Sequence, residues 1–337
     1  MALSAAIYGC EGTSLTDAEK RFFAEVRPWG FIVFARNIDT PEQVKRLVGE
    51  LRTAAGHDAP VLIDQEGGRV ARLRPPHWRA YPAGRRFGDL YARSKEQGLE
   101  AARLGACLIA AELHALGINV DCLPVLDVPV PGAHDVIGDR AYGLTPDPVI
   151  ALGRAAAEGL LAGGVLPVIK HIPGHGRAGV DSHLSLPVVD SDLATLRQTD
   201  FAPFKALADM PLAMTAHVVY AALDAEAPAT TSAKVISEVI RQEIGFDGFL
   251  MSDDLSMQAL AGTLAERARA SLAAGCDIVL HCNGKMDEML AIASEVPTLS
   301  GKSLARSNAA LVRLTRPEPF DESAGVARLA ELMSMLA

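Results

Sequence analysis

Eight short apolar runs recur along the chain, and longer stretches with helical spacing separate them. The apolar runs span residues 5–8, 30–34, 60–64, 118–126, 165–171, 211–215, 248–252 and 277–281. The helical stretches span residues 16–26, 41–55, 94–116, 148–162, 192–208, 232–244 and 264–274. Strands that alternate with helices pair in parallel, with right-handed crossovers between them. For a chain of 337 residues the pattern predicts an α/β fold, a closed (β/α)8 TIM barrel. An open doubly wound sheet is the alternative.

Residues 1–337 are expected to form a single barrel domain with a helical tail over residues 300–337. Several helix starts can be read directly. Thr16 and Glu19 have the spacing of a capping box, and Thr40 precedes Pro41, which suits the first helical position. No low-complexity linker divides the chain, and the tail has one proline-rich joint at residues 317–319.

Charge and cysteine content exclude several classes of protein. The formal net charge of −9 argues against nucleic-acid binding, which needs clustered Lys and Arg. The five cysteines are an odd number without CxxC spacing, and most stand in apolar runs, so we expect buried reduced thiols and a cytoplasmic location. The first residues lack the basic segment of a signal peptide, and no stretch contains 18 uninterrupted apolar residues, so we expect no membrane span.

The apolar runs end in polar side chains that suit catalysis. In a (β/α)8 barrel the active site lies at the C-terminal ends of the strands. The residues at these ends are Asp64, Gln65, Glu66, Asp121, Asp127, Lys170, His171, Thr215, His217, Ser252, Asp253, Asp254 and His281. Carboxylates and imidazoles at so many strand ends predict an active site at this rim of the barrel.

The loop after the fifth run is rich in glycine and histidine. Gly174–Gly179 matches G-x-G-x-x-G, but no helical period follows and Pro187 stops the segment, so we do not expect dinucleotide binding. His171, His175, Asp181 and His183 would suit zinc, which is a second alternative. The histidines do not lie at i, i+4 on a helix, and glycines leave them poorly preorganised, so we predict no metal.

A third interpretation pairs Asp181 with His183. Side chains at i and i+2 of an extended segment point the same way, so the carboxylate could accept the imidazole Nδ1–H. Such a histidine transfers protons near neutral pH. Asp253 would be the nucleophile, and four charged side chains would bind a polyhydroxylated ligand: Asp64, Arg72, Arg140 and Lys170. The alternatives are that Asp181 caps a turn and that the arginines pair with neighbouring carboxylates.

Five motifs together resemble the β-N-acetylglucosaminidase branch of glycoside hydrolase family 3. They are Lys170-His-Ile-Pro-Gly-His-Gly176, Asp181-Ser-His183, Asp64-Gln-Glu-Gly-Gly-Arg-Val70, Val136-Ile-Gly-Asp-Arg140 and Ser252-Asp-Asp-Leu-Ser-Met257. The match runs from the first strand to about residue 285, and it most resembles single-domain bacterial enzymes of cell-wall recycling. The chain differs at Ile172, where an aromatic residue is common, and in the variable residues 176–180.

The resemblance implies a TIM barrel and a cytoplasmic exo-acting hydrolase without cofactor or metal. Its substrate would be N-acetylglucosamine linked to 1,6-anhydro-N-acetylmuramic acid, with or without peptide, in peptidoglycan recycling. By resemblance Asp253 is the nucleophile, His183 the acid/base and Asp181 its partner. Asp64, Arg72, Arg140, Lys170 and His171 match sugar-binding positions. We expect a monomer that contacts neither nucleic acid nor membrane.

The resemblance implies a double displacement in which His183 replaces the second carboxylate of most retaining glycosidases. Two rivals stay open: a phosphorylase that uses phosphate in place of water, and a sugar-binding protein without turnover. Because residues 174–186 are rich in glycine and polar side chains, we expect this loop to be mobile without ligand.

Overall fold

Eight parallel strands close into a barrel in the computed structural model, which describes residues 2–182 and 184–336. The barrel strands are β1 (Ser4–Tyr8), β2 (Pro28–Val33), β3 (Val61–Ile63), β4 (Val120–Asp121), β5 (Leu166–Ile172), β7 (Leu212–Thr215), β9 (Phe249–Asp254) and β10 (Ile278–His281). β1 pairs in parallel with both β2 and β10, which closes the ring. The predicted (β/α)8 barrel is confirmed, and the open-sheet alternative is wrong.

Helices surround the barrel. They are α1 (Asp17–Val26), α2 (Pro41–Ala55), α3 (Gly84–Arg93), α4 (Lys95–Leu116), α5 (Pro146–Ala162), α6 (Leu193–Gln198), α7 (Phe201–Ala206), α8 (Leu264–Ala274), α9 (Met286–Ala293), α10 (Gly301–Val312) and α11 (Glu322–Ser334), together with a π-helix (Val235–Glu243). Short 3₁₀ turns occur at Ala35–Asn37, Gly138–Arg140 and Ala229–Thr231. The capping box of Thr16 and Glu19 forms as predicted, and so does the cap of α2 by Thr40.

Three helices differ from the sequence prediction. The expected helix over residues 192–208 is divided into α6 and α7, because Pro203 lacks an N–H and is tolerated only in a first helical turn. α9 was not predicted. α3 was also missed, since its glycines obscure the pattern. A Cβ at Gly88 would lie 1.8 Å from the carbonyl oxygen of Tyr142, so these glycines let α3 lie directly against the segment that carries Arg140.

Apolar side chains from the strands fill the middle of the barrel. Ile7, Leu62, Val168, Met251 and Leu280 belong to one buried cluster contributed by the strands. At the N-terminal end Trp29 is fully buried and donates a hydrogen bond to Ser307 of α10 at 2.7 Å. The functional side chains therefore gather at the opposite end, where the strands finish.

A second, two-stranded sheet lies outside the barrel. β6 (Val188–Val189) pairs in parallel with β8 (Val219–Tyr220). This pairing fixes the C-terminal end of the loop that follows β5.

All five cysteines are free and buried, as predicted. Over the described residues, no helix is long and apolar enough to cross a membrane.

Candidate active site

A cavity of about 340 Å³ opens at the C-terminal ends of the strands. Its lining includes most of the side chains predicted for the site: Asp64, Arg72, Arg140, Lys170, His171 and Asp253. Phe34, Glu66, Asp254 and Met257 complete much of the wall. The barrel thus brings together residues that are almost 200 positions apart in the sequence, as the strand-end pattern predicts.

Five charged side chains form the floor of this cavity, and we call them the charged floor: Asp64, Glu66, Arg72, Arg140 and Lys170. The Lys170 Nζ atom lies 2.8 Å from Asp64 Oδ1 and 2.6 Å from Glu66 Oε1. Arg72 Nη2 donates to the other oxygen of Asp64 at 3.0 Å. Arg140 donates two hydrogen bonds of 2.9 Å to Glu66, a bidentate pair. Each carboxylate of the floor is therefore held by two cations.

The ion pairs keep the charged floor ionised in spite of its burial. Burial alone would raise the pKa of Asp64, but Lys170 and Arg72 outweigh it and hold this pKa well below its usual value. Burial also opposes the ionised form of Glu66, yet Arg140 and Lys170 lower its pKa. The same carboxylates overcome the burial of Lys170 and raise its pKa. All three groups carry charge at neutral pH and offer fixed donors and acceptors to a ligand.

Arg72 and Arg140 pair with neighbouring carboxylates, which was the alternative to sugar binding for these two side chains. Both side chains also line the cavity. Sequence reasoning gave Glu66 no role, because its partner Arg140 lies 74 residues away. Gln65 was also missed. Its Oε1 atom accepts from the amides of Arg72 and Leu73 at 2.8 and 3.0 Å, which turns the chain so that Arg72 returns to Asp64.

Asp127, which follows β4, organises the start of the histidine loop. It is fully buried and accepts hydrogen bonds from His171 Nδ1 at 2.7 Å and from the His175 amide at 2.7 Å. Burial would raise the pKa of Asp127, but His171 and His175 lower it. Since Nδ1 of His171 is hydrogen bonded to Asp127, the ring is oriented with Nε2 available to the cavity. The position at a strand end was the only sequence signal for Asp127.

Asp253 and Asp254 end β9, and both line the cavity. The side chain of Asp254 accepts from Ser256 Oγ at 2.5 Å and from the Cys282 amide at 3.1 Å, so it stabilises the turn after β9. Asp253 Oδ1 accepts from the Asp254 amide at 2.8 Å. His217 donates from Nε2 to the Asp254 carbonyl oxygen at 3.0 Å, which holds the backbone at the end of β9. The Asp254 side chain is thus held in the turn, and Asp253 as the residue that meets a ligand stays a prediction.

The loop over residues 174–186 has two parts, a stem at 174–178 and a tip at 179–186. Most of the stem is buried, and Arg177 donates to buried Asp200 at 2.7 Å, which ties the stem to the segment between α6 and α7. Val180, Leu184 and Leu186 of the tip are exposed. The stem is therefore anchored by an ion pair with Asp200, and the mobility of the loop without ligand stays a prediction.

The catalytic pair predicted from the sequence lies in the tip. The Asp181 carbonyl oxygen accepts from the amides of Leu184 and Ser185 at 2.9 and 3.0 Å, which are the hydrogen bonds of a turn. The Asp181 carbonyl oxygen therefore begins a turn. His183 lies outside the described residues, so its proposed pairing with Asp181 stays a prediction.

The glycines of the loop serve backbone packing. No helix occurs among the described residues between Gly174 and Asp192, so the G-x-G-x-x-G match lacks the helix of a dinucleotide site. A Cβ at Gly176 would lie 2.1 Å from the carbonyl oxygen of Val128. Within residues 2–182 and 184–336, no three His, Cys, Asp or Glu side chains are grouped so as to hold one metal ion.

Comparisons with known proteins identify the family of the chain. A model of the glycosyl hydrolase family 3 N-terminal domain matches residues 14–316. The chain is 41% identical to a beta-hexosaminidase of Thioalkalivibrio sulfidiphilus over 287 residues, which is 84% of this chain and 82% of that protein. It is 39% identical to a beta-hexosaminidase of Bordetella avium over 81% of this chain and 78% of the relative. Among solved structures, NagZ from Neisseria gonorrhoeae in complex with N-trifluoroacetyl-D-glucosamine superposes with a TM-score of 0.89 at 32% identity, over 99% of each chain.

Proposed function

The chain belongs to glycosyl hydrolase family 3 and is a glycoside hydrolase, and from that premise we propose that it is an exo-acting β-N-acetylglucosaminidase. The proposed substrate is N-acetylglucosamine linked to 1,6-anhydro-N-acetylmuramic acid, with or without attached peptide. The proposed setting is peptidoglycan recycling in the cytoplasm, with the enzyme acting as a monomer. Support comes from beta-hexosaminidase relatives at about 40% identity and from a structural relative that binds an N-acylated glucosamine.

The observation that carries this proposal is the charged floor opposite Asp253. A terminal sugar presents hydroxyl groups that each donate and accept hydrogen bonds. Asp64 supplies acceptors, and Lys170, Arg72 and Arg140 supply donors, all at fixed positions. Preorganised groups of this kind orient a ring without further ordering cost. His171, held by Asp127, adds one more contact at the end of β5.

The proposed mechanism is a double displacement. Asp253 attacks the anomeric carbon while His183 donates a proton to the glycosidic oxygen, and the bond to the aglycone breaks. A water molecule then attacks the anomeric carbon, His183 accepts its proton, and the bond to Asp253 breaks. The sugar leaves with its original anomeric configuration, because two inversions have occurred.

A histidine in place of a second carboxylate has a physical advantage. Neither the imidazolium that donates the proton nor the neutral imidazole that remains repels the Asp253 carboxylate or an anionic muropeptide, whereas a second ionised carboxylate would. A loop that carries the imidazole can also close when substrate binds and exclude water during the first step.

Hydrolysis of p-nitrophenyl N-acetyl-β-glucosaminide and of the natural disaccharide tests the activity. We expect turnover by the wild type that is the same with and without phosphate, and none by Asp253→Asn. A rate that requires phosphate would indicate a phosphorylase, and binding without turnover would indicate a sugar-binding protein.

A 2-fluoro glycosyl reagent tests the nucleophile. We expect a covalent label on Asp253, located by mass spectrometry of peptides, and Asp254→Asn should still be labelled. A label on Asp254 would overturn the assignment.

A further inference from the structure

Ser182 lies between the two residues assigned to proton transfer, and it is anchored on two sides. It is 2% exposed, although the tip around it is largely exposed. His175 Nε2 lies 3.0 Å from Ser182 Oγ, and the Ser182 carbonyl oxygen accepts from the Ala259 amide at 3.3 Å. Ala259 follows the turn after β9, the strand that ends at Asp253 and Asp254. One residue thus joins the tip both to the stem and to the segment beside the nucleophile.

His175 is itself fixed in place. It is 3% exposed, its amide donates to Asp127 at 2.7 Å, and its ring lies 5.5 Å from the ring of His171. Asp127 also holds His171, which lines the cavity. A continuous chain of hydrogen bonds therefore runs from Asp127, in the segment after β4, through His175, to Ser182.

The direction of the bond between His175 and Ser182 follows from burial. Burial and the neighbouring His171 lower the pKa of His175 to about 4, so the ring is neutral at pH 7 and carries one hydrogen. Its Nδ1 atom is buried without a hydrogen-bond partner among the described residues. A buried N–H without a partner is rarer and more costly than a buried lone pair. The hydrogen therefore lies on Nε2 and is donated to Ser182 Oγ.

We infer that His175 and Ser182 are positioning residues, which fix the tip at Ser182 against the stem and the segment after β9, so that the proton transfer proposed for His183 is aligned. Neither side chain touches the reacting atoms. The inference rests on the proposed function, because it concerns the acid/base step of that reaction. A misplacement of about 1 Å in such a step costs about 100-fold in rate.

Leaving-group dependence tests the inference. A series of aryl N-acetyl-β-glucosaminides, with phenols of rising pKa, is compared with the natural disaccharide. Ser182→Ala should lose about 10- to 100-fold in kcat/KM on the sugar aglycone and less than about 3-fold on the most activated phenol. The slope of log(kcat/KM) against leaving-group pKa should therefore steepen. The fraction of folded enzyme does not affect this slope, so simple destabilisation would leave it unchanged.

Three further variants sharpen the test. His175→Gln places an amide N–H the same number of bonds from Cβ as Nε2–H, and it should keep a slope near that of the wild type. His175→Leu should steepen the slope as Ser182→Ala does, and the double variant should be no worse than the poorer single variant. Ser185→Ala, an exposed serine of the same tip, is the matched control and should match the wild type.

The outcomes separate this inference from the proposed function. An unchanged slope in Ser182→Ala, or full additivity in the double variant, would overturn the positioning role while the enzyme remains a glucosaminidase. Absence of turnover by the wild type, or full activity of Asp253→Asn, would instead overturn the proposed function.

Discussion

The charged floor and the loop that follows β5 both consist of polar groups beside the same cavity, but they are held by different interactions. In the floor, buried carboxylates and cations from several strand ends neutralise one another, as Lys170 does between Asp64 and Glu66. In the loop, the stem is fixed by Asp127 and by Arg177, while Val180, Leu184 and Leu186 of the tip contact solvent. The floor is complete before a ligand arrives, whereas the tip depends on a few hydrogen bonds.

This difference matches what each region must do in the proposed reaction. A sugar-binding surface gains from rigidity, because fixed donors and acceptors bind without reorganisation. A proton donor that must admit substrate and then exclude water gains from a segment of low local stability. Substitutions in the charged floor should therefore lower activity on all substrates alike. For substitutions in the tip, the loss of activity should depend on the leaving group.

Removal of the floor's central cation should have the largest effect. Lys170→Met leaves two buried carboxylates with fewer counter-charges, and breaking a buried ion pair in this way costs about 3–5 kcal/mol in the free energy of unfolding. We expect activity to be lost on activated and natural substrates alike. Urea unfolding measures the change in the free energy of unfolding. Lys20→Met, at an exposed site, is the control and should change stability by less than about 0.5 kcal/mol. Equal stability of wild type and Lys170→Met would contradict our view of the floor.

Removal of the proposed proton donor, His183, should have the second largest effect. His183→Ala should lose about 10²–10⁴-fold on the natural disaccharide and far less on a nitrophenyl glycoside, whose departure needs little protonation. Azide should partly restore turnover by replacing the water that lacks a base. Asp181→Ala should show the same pattern more weakly. If both substrates lose activity equally in His183→Ala, the residue is a binding contact and the mechanism is wrong.

Asp121, the last residue of β4, gives a test with a smaller expected effect on stability. Burial raises the pKa of Asp121 well above its usual value, and Oδ2 has no hydrogen-bond partner within the described residues. A pKa that is higher in the folded state makes the folded protein lose stability as pH rises above the ordinary aspartate pKa. Asp121→Asn keeps an acceptor for the Gln65 amide and should be about 1 kcal/mol more stable than wild type at pH 7.

The advantage of Asp121→Asn should shrink as pH falls through about 4 toward 3, because Asp121 then becomes protonated in the unfolded state as well as in the folded state. Thermal unfolding at several pH values measures it, with exposed Asp190→Asn as the control. An advantage that does not change with pH would show that the charge of Asp121 is not the cause.

Chelation should have no effect on activity. Within residues 2–182 and 184–336 no three His, Cys, Asp or Glu side chains are grouped to hold one metal ion, and His175 Nε2 is hydrogen bonded to Ser182. We expect full activity after exhaustive dialysis against a chelator, with no gain on adding zinc. Stoichiometric zinc that is lost and regained together with activity would contradict this assignment.

Sequence periodicity determined most of the scaffold. Each apolar run became a barrel strand, and the bounds of α2 and α8 match the predicted stretches 41–55 and 264–274. The period of apolar residues and the caps at Thr16 and Thr40 are local signals, so they can be read without knowing what the chain packs against. The same reading placed the site at the strand ends, because parallel strands in a closed barrel must finish together.

Tertiary structure alone decided how the polar residues are paired. Arg140 and Glu66 are 74 residues apart, and Lys170 and Asp64 are 106 apart, so no local pattern could show that they share a floor. No sequence pattern indicated that Gly84 and Gly88 of α3 lie against the backbone of Arg140 and Tyr142. Asp127 had no assigned role until its contacts with His171 and His175 were visible. Such pairings depend on the register and closure of the barrel, which bring distant strand ends within hydrogen-bond distance, and a one-dimensional pattern does not contain that geometry.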